Sequence, residues 1–233
     1  MGIDVLYNQD CLVGMKEIPT ESIDLVVTDC PYHIKHYGTT CTGGIFSMEQ
    51  NEYAHTGKLF KHNDIKFSEW LPEVYRVLKK GTHCYIMINA LNLCDLQTEA
   101  EKVGFVFQNL LVWNKGNATP NRYYMQCLEF ILLLSKRPAR EINDMGCSTL
   151  LSVPNILGTK KHPTEKPVAL MEHMIRQSSN EGDIVLDPFA GSGSTLVAAR
   201  NLNRHYLGYE IDEQYYNIAK QQLTQPTNLR LFA

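Results

Sequence analysis

The sequence offers one ready means of holding an amino group, the tetrapeptide Asp29-Cys30-Pro31-Tyr32, directly after the apolar run Ile23-Asp24-Leu25-Val26-Val27-Thr28. A side-chain carboxylate and the carbonyl of a rigid turn can converge there on one amine, and the ring that follows can stack on a base. A second run, Val185-Leu186-Asp187-Pro188-Phe189-Ala190-Gly191-Ser192-Gly193-Ser194-Thr195, reads as strand, glycine turn and helix start. Gly191 and Gly193 let backbone approach a ligand without Cβ clashes. The helix start that follows offers unpaired N–H groups to an anion such as a carboxylate. A third apolar run, His205 to Tyr209, ends in Glu210-Ile211-Asp212, and Glu210 lies 23 positions after Asp187. An acid at that distance, closing the next strand, can take both hydroxyls of a ribose. The fourth segment, His162-Pro163-Thr164-Glu165-Lys166-Pro167, is by itself a loop before a helix. A proline turn, a strand-to-helix turn or a solvated acid is each common alone. The glycine turn and the acid together favour a nucleoside.

These residues need a scaffold of strands that end side by side. Strand and helix patterns alternate through the chain, which predicts a mainly parallel sheet covered on both faces. Strands are expected at Ile3–Tyr7, Ile23–Thr28, His83–Ile88, Phe105–Trp113, Leu128–Ser135, Asp183–Leu186 and His205–Tyr209. Phe105–Trp113 and Leu128–Ser135 are expected to form an antiparallel pair at one sheet edge. The helices are expected at Cys11–Ile18, Phe67–Lys80 (ended by Gly81), Leu91–Val103 (ended by Gly104), Val168–Gln177, Thr195–Asn203 and Glu213–Leu223. Two stretches fit neither pattern: polar His33–Lys66 and basic Lys136–Lys161. A connection as long as the first is usually functional or mobile.

Composition narrows the class. The 233 residues suit one α/β domain with small insertions and no second full domain. A formal net charge of −3 argues against a strongly basic nucleic-acid coat but permits a local basic groove. Between Lys115 and Lys166 eight basic residues face four acids, which is also what a solvated face looks like. Seven cysteines, an odd number at irregular spacing, suggest free thiols in a reducing cytoplasm. The first residues carry no signal-peptide pattern, and no run approaches the ~20 apolar residues of a membrane span.

Taken together, the four segments resemble the DNA amino-methyltransferases, in the circularly permuted order called the beta class. In that family an Asp-Pro-Pro-Tyr-type motif comes early, and the His-Pro-Thr-x-Lys-Pro and Asp-Pro-Phe-x-Gly-Ser-Gly segments come late. Here Asp29 precedes Asp187 by 158 positions. Asn8-Gln9-Asp10-Cys11, with Met15 and Pro19, is similar to the family's opening, and Val112-Trp113-Asn114-Lys115 to its late-strand signature. The resemblance implies a Rossmann-like fold with a seven-stranded, mainly parallel sheet and one antiparallel strand. It also implies S-adenosylmethionine as cofactor and direct methyl transfer to a flipped base, N6 of adenine in double-stranded DNA. Asp29, Cys30, Pro31 and Tyr32 are then the catalytic turn, with Cys30 in place of the usual proline offering only its carbonyl. Asn8, Asp10, Cys11, His162, Thr164, Lys166, Asp187, Phe189, Gly191, Ser192, Gly193, Ser194, Thr195, Glu210 and Ile211 are expected around the cofactor. Within that set Asp10 and Cys11 face its adenine, Glu210 its ribose, and Thr164 and Lys166 its methionine part.

For DNA, Lys136, Arg137, Arg140, Lys160 and Lys161 are the expected contacts, with insertions at about 33–66 and 136–161 flanking the groove. A homodimer and a cognate restriction endonuclease are the other expected partners, in a prokaryotic or phage setting. N4-cytosine methylation shares the geometry, but cytosine-specific relatives more often carry serine where this chain has Asp29. A degenerate, non-catalytic DNA-binding subunit is the alternative outside enzymes, and the intact Asp29, Tyr32 and glycine turn speak against it. Related tetrapeptides in protein-glutamine and RNA methyltransferases usually follow the cofactor motif. Cys30, His33, His36 and Cys41 have borderline zinc spacing, but Cys30 sits inside the catalytic turn and no second pair exists, so no metal is expected.

Overall fold

Strand β2 (Ile23–Asp29) is buried over all but its last residue, as an apolar run without alternation demands when both faces of a parallel strand are covered. In this computed structural model the described residues are 2–32, 64–119, 124–158 and 165–225, with Thr119 described by its backbone alone. The expected segment His33–Lys66 therefore lies almost wholly outside them, as do His162, Thr164, Lys160 and Lys161.

All seven expected strands form. They are β1 (Val5–Asn8), β2, β3 (Leu78–Ile88), β4 (Val106–Thr119), β5 (Gln126–Ser135), β7 (Ile184–Asp187) and β8 (His205–Glu210). An eighth, β6 (Leu150–Ser152), is added inside the stretch expected to be irregular. Three residues are too few to show a period, and β6 exists because β4 offers it a parallel ladder from Val112 to Asn114. The sheet order is β1-β8-β7-β2-β3-β5-β4-β6. Only β5 runs against its neighbours, antiparallel to both β3 and β4. The chain winds outward in opposite directions from the adjacent strands β2 and β7, so the crevice between their C-terminal ends is the switch point where ligands bind in such sheets.

Successive residues of β3 serve two cores, as the period of two requires. Cys84, Ile86 and Ile88 meet Trp70, Leu71, Val74 and Val77 of α2 (Phe67–Val77) and Leu96 and Ala100 of α3 (Leu93–Val103). Tyr85 and Met87 face the other way, towards Leu170, Met171, Met174 and Ile175 of α4 (Val168–Ser178) and Ala198, Ala199 and Leu202 in and after α5 (Ser194–Asn201). Helix α1 (Cys11–Gly14) continues into a 3-10 turn, Met15–Glu17, and α6 (Glu213–Thr224) packs beside β1 and β8.

The boundary between α2 and β3 differs from the expected one. Helix α2 stops at Val77 rather than Lys80, and β3 begins at Leu78. The residues before β2 cause this: the N–H groups of Glu21 and Ser22 donate to the carbonyls of Arg76 and Val77, and Leu78 pairs with Ile23. Gly81, at φ +83°, is thus a kink inside the strand rather than a helix stop.

Candidate active site

Strand ends converge on one rim. Asn8 pairs with Glu210, Asp187 with Gly208, Asp29 with Met87 and Trp113 with Glu129. The expected catalytic turn and the expected nucleoside site therefore stand at neighbouring strand ends, across the β2–β7 crevice.

On the β7 side, Asp187 is buried and organises the turn that follows it. Its carboxylate accepts from Thr28 Oγ1 at 2.7 Å and from the Phe189 N–H at 3.1 Å, and also from the Thr195 side chain. Burial pushes its carboxyl up to about 6 against the pull of these bonds. Gly191 and Gly193 take φ of +52° and +87°, the left-handed region open to glycine. A Cβ on Gly193 would lie 2.9 Å from Ala219 Cβ, so α6 closes against the turn there. Ser192, Ser194 and Thr195 are buried around the start of α5.

Glu210 bridges the two loops. Its carboxylate accepts from the Gly191 N–H and from the Asp212 N–H, each at 2.8 Å, and burial pushes it up to about 6. Asn8 Nδ2 donates to the carbonyls of Glu210 and Ile211, which ties β1 to the end of β8. Asp10 Oδ1 caps α1 by accepting from the Leu12 N–H at 2.7 Å, and the Cys11 thiol beside it is buried. Burial, helped by the Asp10 charge, pushes that thiol up to about 12. Phe189 stands edge-on to Trp70 of α2, with ring centroids 5.2 Å apart. Trp70 entered the sequence reading only as a position within the expected helix Phe67–Lys80. Ionised Glu210, the half-buried Phe189 ring and the glycine turn together fit an adenosyl group bearing a carboxylate tail.

The expected catalytic turn is held from the other side. Lys166 Nζ lies 3.2 Å from Asp29 Oδ2 and 2.8 Å from Glu129 Oε2. Glu129 Oε1 in turn lies 3.4 Å from Lys115 Nζ. Lys166 also sits 5.9 Å from the centroid of the Trp113 ring, whose Nε1 donates to the Val153 carbonyl. Burial alone would lower the Lys166 ammonium, but Asp29 and Glu129 more than reverse this and raise it. Burial would raise Glu129, but Lys166 and Lys115 hold it below the usual carboxylate range. Lys166, expected at the cofactor's methionine part, meets Asp29 and Glu129 in the ligand-free protein. Glu129 entered the sequence reading only as one acid in a basic stretch. The signal that could have found it is a lone charge between Leu128 and Phe130-Ile131-Leu132.

Cys30 is buried, its Sγ donating to the Met87 carbonyl at 3.7 Å. Burial first, then the Asp29 charge, push its thiol well up, so the thiolate a nucleophile needs is disfavoured. Burial likewise raises the Tyr32 phenol and keeps it neutral.

The expected DNA contacts on the segment from Lys136 do not assemble at this rim. Because β5 is antiparallel, its last residue pairs with His83 near the start of β3, so Lys136 emerges at the opposite end of the sheet from Asp29. Lys136 is buried, donates to the carbonyls of Tyr75 and Leu78 at 2.9 Å each, and lies 3.2 Å from Glu21. Arg140 donates to the Ser178 carbonyl and its own carbonyl partners His83 Nε2. Lys136 is thus tied into the fold, and Arg140, though exposed, is bonded at the end of the sheet opposite Asp29. Arg137 is exposed, but at the same far end. The chain then climbs back through Asn143, bonded to Arg176, Gln177 and Ser179, and through β6, to reach the active rim at Val153 and Asn155.

Among the described residues, six cysteines are free, no cluster of His, Cys, Asp and Glu is arranged to hold a metal, and no helix is long and apolar enough to cross a membrane. His33, His36 and Cys41 lie outside those residues.

A family model described as DNA methylase matches residues 23–152 and 141–221. The type II methyltransferase M.HpaI of Haemophilus parainfluenzae is 32% identical over 96% of this chain and 75% of its own length. The type II methyltransferase M2.DpnII of Streptococcus pneumoniae is 29% identical over 94% and 89%. Among solved structures, M1.HpyAVI in complex with SAM is 28% identical at TM-score 0.70, covering 93% of this chain and 98% of that one. PvuII DNA methyltransferase (cytosine-N4-specific) shares the fold, at TM-score 0.75 and 18% identity, over 98% of this chain and 89% of that one.

Proposed function

Because this chain belongs to the DNA methylase family, as an amino-methyltransferase of the beta class whose cofactor is S-adenosylmethionine, we propose that it methylates N6 of adenine in double-stranded DNA. The observation that carries this reading is the placement of Asp29 at the end of β2, one strand away from the glycine turn that closes β7. S-adenosylmethionine supplies a methyl already activated on sulfonium: the amine lone pair forms the N–C bond, the S–C pair passes to sulfur, and one amine proton leaves to water.

The protein's work is alignment and electrostatics. An aryl amine is a weak nucleophile because its lone pair is delocalised into the ring. Asp29 and the Cys30 carbonyl accept its hydrogens and draw the nitrogen towards tetrahedral geometry. Pro31 holds the turn and Tyr32 stacks on the base. A paired base cannot reach such a turn, so the target is flipped out, at a cost of a few kcal/mol. Gly191 to Thr195 and the α5 N-terminus take the cofactor's methionine end with Phe189 packed near it, Asp10 and Cys11 its adenine, and Glu210 its ribose. Asp187 holds the turn through Thr28 and Phe189.

Type II relatives support pairing with a restriction endonuclease, in a bacterial or phage-infected cytoplasm. A second copy of the chain would extend a recognition surface too short for a full site. Long-read methylome sequencing of DNA from cells expressing the chain tests the reading. N6-methyladenine at one short motif is expected, and lost in Asp29→Ala. N4-methylcytosine instead would overturn the adenine assignment, and no mark with purified protein, cofactor and DNA would overturn catalysis.

A further inference from the structure

Four charged side chains stand in one line behind the catalytic turn. They are Asp29 on β2, Lys166 before α4, Glu129 on β5 and Lys115 on β4. They come from four separate elements and alternate in sign. Their side chains are between 7% and 22% exposed, so the interactions are little screened by solvent. A lone lysine would suffice to neutralise Asp29. The chain places a second carboxylate on that lysine, nearer than the first, and a second lysine on that carboxylate.

We propose that Glu129 is a positioning residue for methyl transfer: it divides the Lys166 ammonium between two carboxylates, so that Asp29 is fixed in place yet keeps acceptor strength for the substrate amine. The inference rests on the reading of Asp29 as that acceptor. An ammonium paired with Asp29 alone would draw its hydrogen-bonding capacity into a tight ion pair. An Asp29 with no cation behind it would lose its fixed orientation. At 2.8 Å Glu129 takes the stronger share of Lys166 and leaves Asp29 at 3.2 Å. Lys115 limits that share from the far side, at 3.4 Å from Oε1. Trp113, itself anchored to the Val153 carbonyl, walls the ammonium. The β5 register places Glu129 opposite Trp113, so the strand that runs against the sheet is also the one that supplies the balancing charge.

The arrangement has a signature that a structural salt bridge lacks. The groups facing Asp29 are Lys166, Tyr32, Cys30 and Asp187, and Glu129 shares Lys166 with it from the other side; those facing Glu129 are Lys166, Lys115 and Tyr32. Glu129→Gln removes a like charge from Asp29, so its carboxylate stays ionised to lower pH. Lys115→Met frees Glu129 to take more of Lys166, so Asp29 protonates at higher pH. The experiment is single-turnover methyl transfer by the full chain on duplex DNA at saturating cofactor from pH 5 to 8. Asp187 and Glu210 contribute equally to parent and variants there. Calorimetric cofactor affinity and the thermal midpoint of the ligand-free protein are measured on the same preparations.

Glu129→Gln is expected to lower the plateau rate by about tenfold or more, with cofactor Kd within about twofold and the acid limb moved down. Lys115→Met is expected to move the acid limb up. Unmoved limbs in both variants would overturn the inference, as would rate and cofactor affinity falling together. If Glu129→Gln does not fold, the direction of the Lys115→Met limb decides. Asp29→Ala separates the two readings. Retained activity there defeats the acceptor role itself, whereas an inactive Asp29→Ala beside unmoved limbs defeats only the role of Glu129.

Discussion

Glu210 is the residue whose chemistry the fold alters most usefully. Burial pushes its carboxyl up to about 6, although the Gly191 and Asp212 N–H groups both favour the charged form. Ribose hydroxyls donate, so they bind the carboxylate and not the acid. Below about pH 6 the group is protonated in the ligand-free protein and must release that proton for the cofactor to bind. Cofactor affinity is therefore expected to strengthen as pH rises from 5 to 7 and then level off, read by calorimetry. Glu210→Gln should weaken binding at pH 7.5 by about 1–3 kcal/mol and flatten that dependence. Equal slopes in parent and variant would move the ribose contact elsewhere. Asp187 also sits near 6, but its partners are Thr28, Thr195 and the Phe189 N–H, so it shapes the turn in either protein. At position 30 the buried, raised thiol is consistent with a backbone role, the chemistry direct transfer requires.

The elements hold this site by close approach. Helix α1 carries Asp10 and Cys11, and it lies against β8 because residue 14 has no side chain: a Cβ on Gly14 would fall 2.0 Å from Tyr209 Cε1. Tyr209 cannot yield freely, since it is buried and stacks on Tyr7 with centroids 5.7 Å apart. Gly14→Ala should thus cost about 1–3 kcal/mol of stability, the range for overpacking a filled core, as a lower midpoint in urea unfolding. An unchanged midpoint would show that α1 can shift without loss. The same reasoning explains Gly208, whose Cβ would meet Leu196 of α5 at 2.6 Å. A sequence shows such glycines, but only the facing ring or methyl shows what they make room for.

At the scale of the molecule, strand direction decides which charges share a rim. Lys136 and Arg140 leave β5 at the end opposite Asp29 and bond to carbonyls there. Lys136→Met is expected to destabilise the protein by about 1–3 kcal/mol, because two buried carbonyls lose their donor. Arg137→Glu is expected to leave DNA affinity and its salt slope at parent values in a filter-binding titration. A slope lowered by about one per charge would place that rim on phosphate after all. Val153 and Asn155, by contrast, bond to Trp113 and Lys115 on the rim that carries Asp29.

The alternation of strands and helices, the Asp29 turn, the Gly191–Gly193 turn and the acid at Glu210 are all legible in the amino-acid order alone. Each of these is local: a strand end, a turn conformation and a helix start are set by a few consecutive residues. The amino-acid order also carried the family resemblance, since motif order is a property of the chain alone. Tertiary structure decided the rest. The helix-to-strand change at Leu78 depends on Ile23, and β6 exists only where β4 offers it a ladder. Lys136 and Lys166 look alike as basic residues, yet one caps carbonyls at the far rim and the other joins Asp29 to Glu129. The physical reason is that a charge acquires its role from what lies within a few ångströms. Those neighbours come from segments far apart in the chain, 137 positions for Asp29 and Lys166.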